Sequence, residues 1–211
     1  MLQTTDLQFS YAKNALMRFP DIQLQQGEHW LLLGESGSGK TTLLHLLGGL
    51  LSPSSGNICI AGVEIKKLSS TGLDRFRGQH IGIVFQKSHF IRSLTVMENL
   101  LLAQKLARTP IDKKRVTALL ERLQLGHKLH SRPSTLSIGE QQRAAIARAL
   151  VNHPNLILAD EPTSALDDHN STAVANLLEE EARSVGAMLL VVTHDKRLKD
   201  RFSQQIELPA L

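Results

Sequence analysis

Gly34-Glu35-Ser36-Gly37-Ser38-Gly39-Lys40-Thr41 follows the apolar run Trp30-Leu31-Leu32-Leu33 with no spacer, and Thr42-Leu43-Leu44-His45-Leu46-Leu47 comes directly after it. A buried strand, a glycine-rich loop and a helix in that order make a phosphate cradle. Glycines at the mouth of a helix leave successive backbone N–H groups unshielded and free to converge on phosphate oxygens. Lys40 adds a mobile positive charge for the β- and γ-phosphates of a nucleotide, and Thr41 places a hydroxyl where Mg2+ would be held. The loop by itself says nucleotide without saying what is done with it.

Two further stretches could act on that phosphate. Leu156-Ile157-Leu158-Ala159-Asp160-Glu161 is an apolar strand ending in two carboxylates, the means by which a P-loop NTPase brings negative charge beside its metal. Asp160 is expected to orient Mg2+ through water, and Glu161 to take a proton from the attacking water. Leu136-Ser137-Ile138-Gly139-Glu140-Gln141-Gln142-Arg143 leads into Ala144-Ala145-Ile146-Ala147-Arg148-Ala149-Leu150. Ser137 and Glu140 have the spacing of a capping box, which closes the N-terminus of a helix over 138–151. A capped helix start beside Gly139 is also an anion site. The two roles are compatible.

With the Ser137 stretch in view, the whole chain resembles the ATP-binding-cassette (ABC) ATPases, whose signature is usually Leu-Ser-Gly-Gly-Gln or a Glu variant of it. The other matching parts are Tyr11, Gln86 in the loop after a strand, Pro162-Thr163-Ser164-Ala165-Leu166-Asp167 after the carboxylates, and His194 after Val191-Val192-Thr193. The resemblance implies that Gly34, Glu35, Ser36, Gly37, Ser38, Gly39, Lys40, Thr41 and Thr42 bind ATP. Thr41, Gln86 and Asp160 would serve Mg2+, with Gln86 touching the ion or the attacking water and reporting nucleotide state to a helical lobe. It further implies that His194 contacts the γ-phosphate, and that Ser137, Gly139 and Glu140 complete the pocket of a second copy of the chain. Asp167 would be shared across that homodimer interface. Tyr11 lies where the family stacks an aromatic on adenine, although a turn tyrosine would look the same. Lys87 to Met97 resembles the surface that grips a membrane permease subunit, and Phe90 and Ile91 within it suit a lobe core equally well.

One position departs from the pattern. Ile138 stands where the first signature glycine is usual, and a β-branched residue forbids the positive φ that glycine permits. If the position is the first turn of the helix, φ is negative and isoleucine is tolerated. If ATP engagement needs a tighter approach, dimerisation is weakened.

These residues need a scaffold, and the chain supplies one with a visible change of pattern. To about residue 90 it is rich in β-like runs: Leu7-Gln8-Phe9, Ile22-Gln23-Leu24, Trp30 to Leu33, Ile58-Cys59-Ile60 and Ile81 to Phe85. From 91 to 152 the periodicity becomes helical, with a Thr95/Glu98 capping box and a helix from Asp112 towards Leu125 that Gly126 would end. After Pro154, strands at 156–159 and 188–192 flank a helix over about 168–184. Alternating strands and helices predict a largely parallel sheet, hence an α/β fold. The resemblance refines this to a P-loop NTPase (RecA-like) core with an N-terminal antiparallel β subdomain and an inserted α-helical subdomain. The core would occupy 1–90 and 153–211, and the helical subdomain 91–152.

At 211 residues, 42% hydrophobic and 21% charged, the chain has an ordinary globular composition with room for one nucleotide-binding unit. Its longest apolar stretch, Leu43 to Leu51, is broken by His45, Gly48 and Gly49, well short of a bilayer span. Met1 to Asp6 shows no basic region followed by an apolar segment, so a cytoplasmic chain is expected, held at the inner face of the membrane by its permease. The net charge of +4 is scattered, and its densest cluster, Lys113-Lys114-Arg115, is expected to be a solvated helix face and not a nucleic-acid site. Cys59 is expected to pack as a small core residue. The short form, Ile81 to Gln86 and the Glu-Gln-Gln-Arg continuation of the signature are similar to the group serving lipoprotein-releasing and macrolide-export systems. A non-transport ABC ATPase acting mechanically on a membrane partner, as in the cell-division type, would show the same catalytic residues.

Overall fold

A computed structural model describes residues 1–11, 16–164, 168–194 and 196–209. In chain order the elements are β1 (Leu2–Phe9), β2 (Met17–Arg18), β3 (Gln23–Leu24), β4 (His29–Leu33), α1 (Lys40–Leu47), β5 (Ser55–Ile60), β6 (Val63–Glu64), α2 (Ser70–His80), β7 (Ile81–Val84) and α3 (Val96–Leu106). They continue with α4 (Lys113–Arg122), α5 (Ile138–Leu150), β8 (Leu156–Asp160), α6 (Asp168–Ser184), β9 (Met188–Val192) and β10 (Gln204–Glu207).

β1 buries Leu2 and Thr4, then Leu7 and Phe9, a period of two that slips once in the middle. Asp6 absorbs the slip at φ 50, and the pairing of β1 with β5 shifts register between Thr5 and Gln8. Opposite the bulge a Cβ on Gly56 would lie 2.4 Å from the Asp6 carbonyl, so only glycine fits there. β2, β3 and β5 pair with β1, and β6 with β5, all antiparallel. This is the expected N-terminal antiparallel sheet.

β10, β4, β9, β8 and β7 lie side by side in that order, all parallel. β8 and β9 are buried along their whole length, as strands covered on both faces must be. Alternate residues sort to two cores. Leu32, Leu156, Leu158, Met188, Leu190 and Val192 pack with α1 and the antiparallel sheet. Leu31, Ile157, Ala159, Leu189 and Val191 pack with residues of α3 to α6. Because all five strands run one way, the loops after β4, β7, β8 and β9 open at one edge, the usual place for a ligand in such sheets.

α3, α4 and α5 fall between β7 and β8, where the helical insertion is expected. Thr95 with Glu98 and Ser137 with Glu140 form complete capping boxes, and the Asp112 side chain accepts from Arg115 N. Several expectations need correction. α4 stops at Arg122, because Gln124 turns to φ 58, and Gly126 begins a short 3-10 turn instead of ending the helix. α2 rises within the stretch that looked β-rich, capped by the Ser69 hydroxyl on Gly72 N at 3.2 Å. Cys59 is half-buried, on the opposite face of β5 from the buried Ile58 and Ile60. Arg115 is more than a solvated charge, for it donates to the Val151 and Leu150 carbonyls at 2.9 and 3.1 Å and satisfies the end of α5.

Candidate active site

The phosphate loop leaves β4 through Gly34, where a Cβ would fall 2.5 Å from Ser38 Oγ and 3.1 Å from the Leu208 carbonyl. Gly39 caps α1 in a left-handed conformation (φ 90) and offers no side-chain bond to the first-turn N–H groups. Lys40, 9% exposed, folds back so that Nζ donates to the Gly34 and Glu35 carbonyls at 2.8 and 2.7 Å. The lysine therefore holds the loop in a ring around its own charge. Ser38 Oγ is buried and unpaired among the described residues, as fits a loop made to receive further oxygen atoms.

The ends of β8 and β9 meet the loop from the other side. Asp160, 8% exposed, keeps Oδ1 without a partner among the described residues. Burial pushes its carboxyl above the usual carboxylate range, the charge of Glu161 pushes the same way, and a hydrogen bond from the Thr41 side chain opposes both. Glu161 stands at φ 47, left-handed backbone that is uncommon outside glycine and concentrated at functional sites. Its Oε1 accepts from His194 Nδ1 at 2.6 Å and from His194 N at 3.1 Å, while Oε2 accepts from Thr193 Oγ1 at 3.0 Å. Gln86, in the loop after β7, donates through Nε2 to Ser164 Oγ at 3.2 Å, and Ser164 Oγ donates to the Glu161 carbonyl at 3.1 Å.

A cleft of about 520 Å³ runs between these groups, lined by Ser36, Gly37, Gly39, Lys40, Thr41, Thr42, Gln86, Glu161 and His194, with Met17 closing one side. Tyr11 sits beside it, its hydroxyl 3.2 Å from Thr42 Oγ1 and its ring edge-on to Phe9 at 4.7 Å. Ser137, Gly139 and Glu140 are not brought to this cleft. Ser137 Oγ accepts from Glu140 N at 3.3 Å and Glu140 Oε2 from Ser137 N at 2.8 Å. That backbone donor holds the Glu140 carboxyl below its ordinary value, with Lys128 assisting. Ile138 between them is 61% exposed and absent from the positive-φ residues, so the first helical turn accepts isoleucine without backbone strain. Asp167 lies outside the described residues.

With this arrangement the family model for ABC transporters matches residues 19–164. The chain belongs to the ABC transporter family. The lipoprotein-releasing system ATP-binding protein LolD of Pseudomonas fluorescens is 43% identical over 189 residues, covering 89% of this chain and 83% of its own length. LolD of Pseudomonas syringae pv. tomato is 42% identical over the same shares. Among solved structures, the dimeric post-hydrolysis state of the ATP-binding cassette MJ0796 bound to ADP and Pi superposes with a TM-score of 0.88 at 32% identity, over 99% of this chain and 94% of that one. CbiO1 from Clostridium perfringens, part of the ABC transporter complex cbiONQ, superposes with a TM-score of 0.81 at 31% identity, over 92% and 78%.

As an ABC ATPase the chain is a nucleotide-binding subunit that binds and hydrolyses ATP. Its geometry gathers most of the residues that sequence reasoning selected, but it also brings in three that were passed over. Thr193 was hidden beside His194 and gave no signal of its own, since strand ends often carry threonine. Ser164 was visible only as part of a longer match. Met17 lies in a two-residue strand, too short for any periodicity to mark it.

Proposed function

We propose that two copies of this chain close face to face around two ATP·Mg2+ and drive a separate membrane permease, in the manner of lipoprotein release. The observation that carries the proposal is the division of the site. Lys40, Thr41, Gln86, Glu161 and His194 line one cleft, while Ser137, Gly139 and Glu140 lie off it on their own capped helix start. A site split in this way is served by a second copy. That MJ0796, at 32% identity, has been solved as a dimer supports the same reading.

In this assembly Lys40 and the loop N–H groups stabilise charge as it develops on the transferred phosphoryl group. Glu161 takes the proton of the attacking water, and His194, held on Glu161 through Nδ1 before ATP binds, turns to meet the phosphate. Asp160 Oδ1, unpaired among the described residues, together with the Thr41 hydroxyl fits a hard divalent cation, and Gln86 lines the same cleft as Thr41. Among the described residues no cluster of three or more His, Cys, Asp or Glu could hold a metal, so the ion would share its coordination with the phosphates. When bound, Mg2+ neutralises phosphate charge. Tyr11 would stack on adenine, and Ser137 would meet the γ-phosphate held by the partner.

Among the described residues no helix is long and apolar enough to cross a membrane, so transport calls for a permease. A groove of about 660 Å³ lined by Phe85, His89, Leu106, Ala107 and Arg148 is where it would dock, between the core and the helical lobe we assign to 91–152. Such docking places the chain at the inner face of the cell membrane. The lipoprotein assignment follows the two LolD relatives. The deciding experiment is Glu161→Gln. It is expected to keep ATP, lose hydrolysis by at least about a hundredfold and accumulate as an ATP-bound dimer. Undiminished turnover, or a variant that stays monomeric with ATP, overturns the proposal. Copurification then names the permease.

A further inference from the structure

We propose that Thr193 is a positioning residue for hydrolysis, holding the Glu161 carboxylate in place when His194 turns to the phosphate. The inference rests on Glu161 being the group that activates water. Glu161 is fastened in an unfavourable backbone conformation, φ 47, by its N–H to the Val192 carbonyl at 2.8 Å and by Ser164 N and Oγ on its own carbonyl at 3.3 and 3.1 Å. The backbone is thus fixed, and the aim of the carboxylate depends on what grips its two oxygens.

Those grips differ in kind. His194, whose side chain is 70% exposed, borders the open cleft and is placed to swing towards a phosphate. Thr193 is fully buried, and its N–H is tied to the Leu32 carbonyl of β4 at 3.2 Å, the strand that runs into the phosphate loop. Its hydroxyl donates to Glu161 Oε2 at 3.0 Å from a buried residue tied to the sheet just past the end of β9. A β-branched side chain has few χ1 choices, so the donor stays aimed. Once the Nδ1 bond of His194 loosens, Thr193 Oγ1 is the side-chain donor to Glu161 that remains among the described residues. It also ties the carboxylate to the phosphate loop through β4.

The test compares Thr193→Val, Thr193→Ser and Glu161→Gln in steady-state ATPase assays, with ATP affinity measured on each purified protein. Valine keeps the shape and removes the donor. Thr193→Val is expected to lower kcat about tenfold with KM for ATP held within about twofold, and Thr193→Ser to restore kcat to within about twofold of the parent. If Thr193→Val does not fold, Thr193→Cys replaces it, because a thiol of similar size is a weak donor, and the same loss of kcat is expected. Parental kcat in the donor-less variant, a loss confined to KM, or a serine variant as slow as valine each overturns the assignment. Glu161→Gln separates the two layers. If it hydrolyses ATP normally, the general-base reading fails and this inference falls with it. If it is inactive while Thr193→Val is unimpaired, only the Thr193 role is lost.

Discussion

Asp160 and Lys40 are both buried charges, and their surroundings assign them opposite costs. Lys40 has two carbonyl acceptors, so its charge is satisfied before ATP arrives. Lys40→Ala is expected to release the Gly34 and Glu35 carbonyls, weaken ATP binding and lower kcat by about 10²–10³, measured by titration with a fluorescent ATP analogue and by phosphate release. Asp160 leaves one oxygen unpaired among the described residues, and its carboxyl is raised by burial and then by Glu161. A raised carboxyl binds its proton more tightly folded than unfolded, so stability falls as pH climbs through the interval above the unfolded value of about 4. Asp160→Asn is therefore expected to melt about 2–4 °C above the nucleotide-free parent at neutral pH, to lose that advantage below about pH 4, and to be inactive. Equal melting temperatures at neutral pH would show that the carboxylate carries no penalty. Residue types and order sufficed to select Lys40, Asp160 and Glu161 from the sequence, and the family resemblance added His194. The hydrogen bond from His194 to Glu161 was not legible, since it depends on how two neighbouring strand ends are aimed.

Helix starts were the most legible elements, because a capping box is a local agreement between residues three apart. Thr95/Glu98 and Ser137/Glu140 both form as the sequence predicts. Their glutamates have depressed pKa values, first because the cap residue's backbone N–H donates to them. A depressed carboxyl contributes stability that is complete above the unfolded value and is lost as pH falls through the folded one. In Glu98→Ala the acid branch of the melting temperature against pH, below about pH 4.5, is expected to be flatter than in the parent. Ser137→Ala is expected to cost about 1 kcal/mol in urea unfolding. Helix ends and short strands were harder. α4 stops because Gln124 takes a left-handed turn, a residue the glycine rule does not watch. β2 and β6 are two-residue strands whose pairing is decided by their neighbours across the sheet.

For the molecule as a whole, an antiparallel sheet and a parallel one were expected from pattern and resemblance, and each is present. The split between the cleft and the Ser137 helix start adds a requirement of concentration. If each cleft needs a second chain, ATPase activity per chain is expected to rise with protein concentration until dimer saturates, an effect that dilution series detect directly. Specific activity constant over a hundredfold dilution would point to a site complete within one chain. Ile138→Gly is expected to leave that concentration dependence unchanged, because the exposed isoleucine already sits on relaxed backbone.

The position of β4 has a consequence for how the molecule comes into being. The strand that delivers the phosphate loop is flanked by β9 and β10, which are synthesised long after it, and Leu208 N closes the pairing on Leu33 at 2.9 Å. On the ribosome, Gly34 to Thr41 emerge early into a chain that has neither neighbour to offer them. The antiparallel sheet can assemble from the residues up to Glu64, but the nucleotide pocket has to wait for β9 and β10. Nascent chains halted before β9 should therefore be unable to retain ATP.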